Sequence, residues 1–272
     1  MFRELLALSD PEMFPPFRNR DRETREFNVP SLKSHPQKSA RTMESQPENS
    51  RVSPASTVTA FRTDRKPAGH LSPDALPVVR LVYLVPKDRV FSDKYATAIT
   101  DAASQLAVWF KNAVGNGKTF QPTSVESHVT PNIREWYAEE TDGRTYWSNV
   151  LHDGFPLTGG TFNDPYNIWL YYIDAVDKNG GGGGGTSGVA VLTGEDLEGL
   201  IGMHGKISRW VGGLGHELGH ALGRPHPAVC NGSREPDPPC NSLMYLGYTE
   251  YPATYLTPED KAALAASPFF NT

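Results

Sequence analysis

His216-Glu217-Leu218-Gly219-His220-Ala221-Leu222-Gly223-Arg224-Pro225-His226 is the stretch on which the reading of this chain turns. The residues from Lys206 to Leu222 read as one helix, and two histidines four positions apart then lie one turn apart on the same helix face. Both imidazoles can reach a single ion at about 2.0 to 2.1 Å. Glu217 follows the first histidine directly, which aims its carboxylate at a water beside the metal rather than at the metal itself. The third histidine requires the chain to leave the helix and double back. Gly223 can take the positive φ that ends a helix, Pro225 reinforces the exit, and His226 returns from another direction. Three nitrogens with one position left open is the pattern of a catalytic zinc site rather than a structural one.

At every specified position this segment resembles the HExxHxxGxxH signature of the metzincins, zinc peptidases of one clan. A second feature agrees with the resemblance. Metzincins place a methionine-bearing turn beneath the metal, and Ser242-Leu243-Met244-Tyr245 follows His226 in the expected order. Met244 is expected to give the imidazoles an apolar, polarisable floor without binding the ion. The resemblance implies an α/β (α+β) catalytic domain: a twisted, mostly parallel sheet with an antiparallel edge strand, an active-site helix and a C-terminal helix. It further implies one Zn2+ held by His216, His220 and His226, Glu217 as general base, and a polypeptide as substrate. Pro227 resembles the serralysins, whose zinc-proximal tyrosine sits two places after the turn methionine. Here that place is Leu246, with Tyr245 and Tyr248 on either side, so no subfamily is assigned.

The remaining sequence supplies the frame. Val78 to Val85 is a β-branched and aliphatic run stopped by Pro86, and reads as a buried strand. Ser92 or Asp93 caps a helix whose apolar residues, from Tyr95 to Ala113, recur at helical spacing until Gly115. A second strand is expected within Thr123–Thr130, a loop or short helix within Arg134–Leu151, and a third strand over Asn167–Val176. Six glycines, Gly180 to Gly185, read as a loop, because glycine weakens helix and strand interiors alike. Gly188-Val189-Ala190-Val191-Leu192 then reads as a short strand at the sheet edge, the candidate platform for an extended substrate. Thr257, Pro258 and two acidic residues mark the start of the C-terminal helix. His128, His152 and His204 have no partner at ligand spacing. Asp174, Asp177 and Asn179 offer oxygens at near-alternate positions, but the calcium-loop pattern is incomplete, and Ca2+ has no support beyond them.

The charge of the 272-residue chain is unevenly spread: Met1–His70 carries about +3 and the remainder about −8. Residues 1–77 are rich in Pro, Ser, Arg and Glu, with scattered apolar residues, and are expected to be largely disordered, with a pro-segment as the functional alternative. Such a pro-segment has no cysteine with which to ligate zinc. Residues 78–272 form the catalytic domain. An acidic globule offers no basic surface for nucleic acid, no apolar run is long enough to span a membrane, and a monomer is the default. Cys230 and Cys240 lie in one Pro- and Asp-rich loop, where a bridge would close a short ring; two reduced thiols are the alternative. Leu5 to Leu8 is too short and too acidic at its flanks for an export signal, yet the cysteine pair and the resemblance favour a secreted or extracellular protein. Two rivals to a peptidase are a zinc-binding scaffold without turnover and hydrolysis of a non-peptide amide. Deleting Met1–His70 is expected to leave the melting temperature nearly unchanged. A large drop in thermal denaturation would show that this segment docks on the domain, and a gain in peptidase activity would favour the pro-segment.

Overall fold

The computed structural model describes residues 76–138, 145–177, 183–233 and 237–271. The readings made for residues 1–75, for Asn179 and for Gly180–Gly182 lie outside them. Five strands form one sheet in the order β2-β1-β3-β5-β4. β1 (Val78–Val85), β2 (Glu126–Val129), β3 (Asn167–Ile173) and β5 (Val189–Leu192) run parallel, and β4 (Gly184–Thr186) runs antiparallel to β5. A strand buried on both faces has no polar alternation, and β1 and β3 accordingly read as near-continuous apolar runs.

Helices cover both faces. On one, α1 (Asp93–Val114) and α5 (Ile207–Ala221) bury Ile99, Leu106, Phe110, Leu214 and Leu218 against Val79, Leu81, Tyr83 and Leu170. On the other, α2 (Arg134–Ala138) and α3 (Tyr146–Thr158) pack Tyr137, Val150 and Leu151 against Val82, Leu84, Tyr171 and Ile173. The caps are those expected. Ser92 accepts from the backbone N–H of Tyr95, Gly115 ends α1 at φ 81°, and Thr257 accepts from Asp260 at the start of α6 (Pro258–Ala266). Between β5 and α5, α4 (Gly194–Leu200) starts with a capping box in which Thr193 and Asp196 satisfy each other's backbone N–H groups. None of the described helices is long and apolar enough to cross a membrane.

Several boundaries differ from the sequence reading. The second strand is only Glu126–Val129, because the N–H of Leu81 goes to the hydroxyl of Thr123 rather than to a main-chain carbonyl, which interrupts the ladder begun at the bridge of Val79 with Pro122. Arg134–Leu151 holds two helices, the second running on through Pro156 to a left-handed Gly159. β3 stops at Ile173: Asp174 turns to pair with Arg89 at 2.9 Å, and the carbonyl of Ala175 accepts from Gly194 and Tyr146.

The larger correction concerns the sheet edge. Gly188 is a turn residue at φ 84°, and Val189, Ala190, Val191 and Leu192 form a strand flanked on both sides, by β3 and β4. Among the described residues β2 is the edge on the far side, and on this side the edge is β4, the end of the glycine run that reads as a loop in the sequence. Glycine is required there by proximity rather than by flexibility. A Cβ on Gly185 would collide with the carbonyl oxygen of Glu217 and stand 3.0 Å from the Cβ of His220, so only a residue without a side chain can lie this close over α5 at that position. Gly185→Ala should force β4 off the helix. A loss of about 1–3 kcal/mol in denaturant unfolding is expected, in the range of overpacked interiors, and an unchanged unfolding midpoint would refute the close packing.

Candidate active site

The C-terminal half of α5 carries the first two histidines. Its amphipathic stripe fixes their direction, since Val211, Leu214 and Leu218 face the core. Gly223 leaves the helix at φ 78°, with the N–H groups of Gly223 and Arg224 bonded back to His220 and Gly219. The chain then turns through Pro225, and His226 meets the other two. The three Nε2 atoms lie 3.1, 3.1 and 3.2 Å from one another.

Second partners decide the tautomers. Nδ1 of His216 donates to the carbonyl of Leu243 at 2.7 Å, and Nδ1 of His220 to that of Arg224 at 2.7 Å. With those protons on Nδ1, the Nε2 atoms of both rings present lone pairs to each other across 3.1 Å. Acceptors cannot bond acceptors, so the arrangement is unfavourable without a cation between them. Points about 2.0–2.1 Å from all three nitrogens exist, about 1 Å off their plane, which is the distance zinc requires. The donor set therefore fits Zn2+. Burial and the neighbouring rings also keep the histidines neutral. Burial, then His220, holds His216 well below the usual range; burial, then His226, lowers His220 to about 4; burial lowers His226. Among the described residues this is the only group of three or more side chains placed to hold a metal.

Glu217 lies between the two helical histidines in sequence, and its Oε2 is out of reach of solvent without a hydrogen-bond partner. Burial, then the nearby charge of Asp196, pushes its carboxyl up to about 8. A divalent cation beside it would favour the carboxylate and oppose that shift. A buried carboxyl oxygen with no partner is costly unless a ligand completes it.

Met244 is buried beneath the cluster, and a Cβ on Gly219 would collide with its sulfur, so the methionine fills the space that the glycine leaves open. The main-chain link from Leu243 to His216 joins this turn to the first histidine, a contact with no sequence signal. Cys230 and Cys240 are bridged, with their Cα atoms 5.4 Å apart, within the loop that connects His226 to Met244. The ring of Tyr248 lies 5.2 Å from that of His216, tilted by 51°, and Tyr245 stands edge-on to His226 at 5.4 Å.

The remaining candidates lie elsewhere. His152 bonds Asp153 at 3.0 Å, His204 bonds Glu198 at 2.7 Å and His128 approaches Glu126. Asp174 is paired with Arg89, which leaves it committed to a cation of the chain itself. The new element near the three histidines is β4. Thr186 and Val189 close a two-residue turn, Ser187-Gly188, with both φ values positive. In such a hairpin the closing pair and every second pair exchange hydrogen bonds. Gly185, opposite Ala190, falls at the other kind of position, with its N–H and C=O directed away from β5.

No protein-family model matches the chain, and no curated protein matches it in sequence. Solved structures do. Wild-type OgpA from Akkermansia muciniphila is 19% identical with a TM-score of 0.52, over 73% of this chain and 62% of that one. Catalytically inactive OgpA in complex with an O-glycopeptide (glycodrosocin) substrate gives 19% and 0.53 over the same shares. Archaemetzincin from Methanopyrus kandleri is 16% identical with a TM-score of 0.41, over 72% of this chain and 97% of that one. The chain thus spans about three fifths of the length of OgpA, whose fold it shares. A mostly parallel sheet with an antiparallel edge, histidines of an HExxHxxGxxH helix and turn gathered at one point, and a buried methionine turn beneath them give this chain the fold and site pattern of a metzincin.

Proposed function

We propose that this chain is a zinc-dependent endopeptidase that hydrolyses peptide bonds with Glu217 as general base. The observation that carries the reading is the convergence of three neutral imidazole nitrogens within 3.2 Å, with the residue after the first of them, Glu217, keeping one carboxyl oxygen buried and unpartnered. His216, His220 and His226 would hold the ion. Zn2+ bound there supplies Lewis acidity, which polarises a carbonyl and lowers the pKa of water towards about 7.

The protein's own groups do the rest. Glu217 takes the proton of the attacking water on a carboxylate oxygen and returns it to the nitrogen of the leaving amine. Leu243 and Arg224 hold the two helical imidazoles through their Nδ1–H groups, so that neither ring turns as charge develops. Gly185 offers its outward N–H and C=O to an extended polypeptide, which adds as a further strand on β4. The neighbour's complex with an O-glycopeptide supports a polypeptide as the class of substrate. The disulfide supports a secreted or extracellular setting, where such bonds persist.

Two substitutions test this reading. His220→Ala should lower zinc affinity, because two imidazoles remain and the site is under-coordinated. Metal analysis after dialysis against a weak chelator should show less than one zinc per chain, and full retention would remove the ligand assignment. Glu217→Ala should keep zinc and fold while peptide cleavage falls by about 10²- to 10⁴-fold, the usual weight of general-base assistance. Mass spectrometry of a denatured protein substrate and a peptide library reads the outcome. Equal cleavage by both forms would exclude Glu217 as the base. If both forms bind zinc and neither cleaves, the scaffold reading replaces the enzyme.

A further inference from the structure

The three candidate ligands are not held alike. Nδ1 of His216 and Nδ1 of His220 each donate to a main-chain carbonyl at 2.7 Å, and both residues stand on one rigid helix. His226 stands on neither helix nor strand, and among the described residues no hydrogen bond reaches its Nδ1. A ligand on irregular chain without an outer partner is the weak point of a metal site, because its ring orientation is left to packing.

What packs against it is Tyr245. The two rings meet edge to face, with centroids 5.4 Å apart and planes at 84°. The tyrosine itself is fixed at both ends. Its N–H donates to the carbonyl of Ser242 at 3.0 Å, within the turn that carries Met244. Its hydroxyl donates to the carbonyl of Ser233 at 3.0 Å, and Ser233 belongs to the ring closed by Cys230 and Cys240. The N–H of Ser233 in turn donates to the carbonyl of Cys230 at 2.9 Å. With its hydroxyl committed to Ser233, Tyr245 presents a ring edge or face to His226, not an oxygen to the metal.

We infer that Tyr245 is a positioning residue for the third zinc ligand: its ring sets the plane of His226, and its hydroxyl ties the ligand's loop to the methionine turn. This rests on the zinc reading above and deepens it. A ring held between two fixed ends does for His226 what the carbonyls of Leu243 and Arg224 do for the other two. Aromatic edge-to-face contacts have a definite geometry, so a branched aliphatic side chain of smaller volume does not replace them.

The test uses the full chain, zinc and a competing chelator dye. Tyr245→Leu is expected to weaken zinc binding by about 10- to 100-fold, the usual effect of losing an outer partner of a metal ligand. Tyr245→Phe keeps the ring and should recover most of that loss. The discriminating arm is the His226→Ala background, in which the ligand has already gone and Tyr245→Leu should cost nothing further. Cobalt(II) substitution gives a second readout: Tyr245→Leu should change the visible absorption of the bound ion, and Tyr245→Phe should restore it. Equal losses in both backgrounds, or a cobalt spectrum and zinc affinity unchanged in Tyr245→Leu, would overturn the assignment. Wild-type protein that binds no zinc would instead overturn the zinc reading itself. Melting curves of the metal-free proteins check the fold, and if Tyr245→Leu does not fold the same cycle is run with Tyr245→Met, with the same two results deciding it.

Discussion

Three imidazole nitrogens at 3.1 to 3.2 Å from one another, at least two of them bearing lone pairs, set the terms for everything around them. Neutral rings are needed, and burial supplies that by disfavouring the charged form of each. Fixed rings are also needed. That demand explains why carbonyls of Leu243 and Arg224 sit behind two of them, why the helix ends sharply at Gly223, and why the loop beyond His226 is closed by a disulfide. The sheet contributes by anchoring α5. Leu214 and Leu218 join the core with Leu81 and Leu170, so the helix that bears the ligands is held along its length by apolar packing.

Much of this was legible in the sequence where local chemistry decides the outcome. Helix caps at Ser92 and Thr257, the left-handed exits at Gly115 and Gly223, and the apolar run of β1 each follow from a few adjacent residues. The histidines and Met244 were legible for a different reason. Their spacing is that of one helix turn, one glycine exit and one further turn, and spacing survives in a linear string. The bridge between Cys230 and Cys240 was one of two readings the loop allowed, and the structure takes that one.

What was not legible depends on distant partners. Gly185 looks like a loop residue until α5 is laid against it, and only then does the absence of a side chain become a packing requirement. The same holds for Gly188-Leu192, whose small residues suggest an edge although β4 covers it from the far side. Leu243 as a partner of His216, and Asp196 as a charge near Glu217, carry no sequence signal at all, since the contact is made by a carbonyl in one case and by a helix cap in the other.

The glycine edge has a consequence for discrimination. A strand that carries no side chain at Gly184 and Gly185 has nothing with which to sort one amino acid from another. On the proposed reading it would grip any extended chain equally, by amide and carbonyl alone, and would serve as a ruler of backbone direction. Choice among sequences would then fall to elements that carry side chains near the histidines, such as Tyr245 beside His226 and the loop closed by Cys230 and Cys240. Affinity and selectivity would thus reside on different elements, free to change independently as loops vary while the edge and the histidine helix stay as they are.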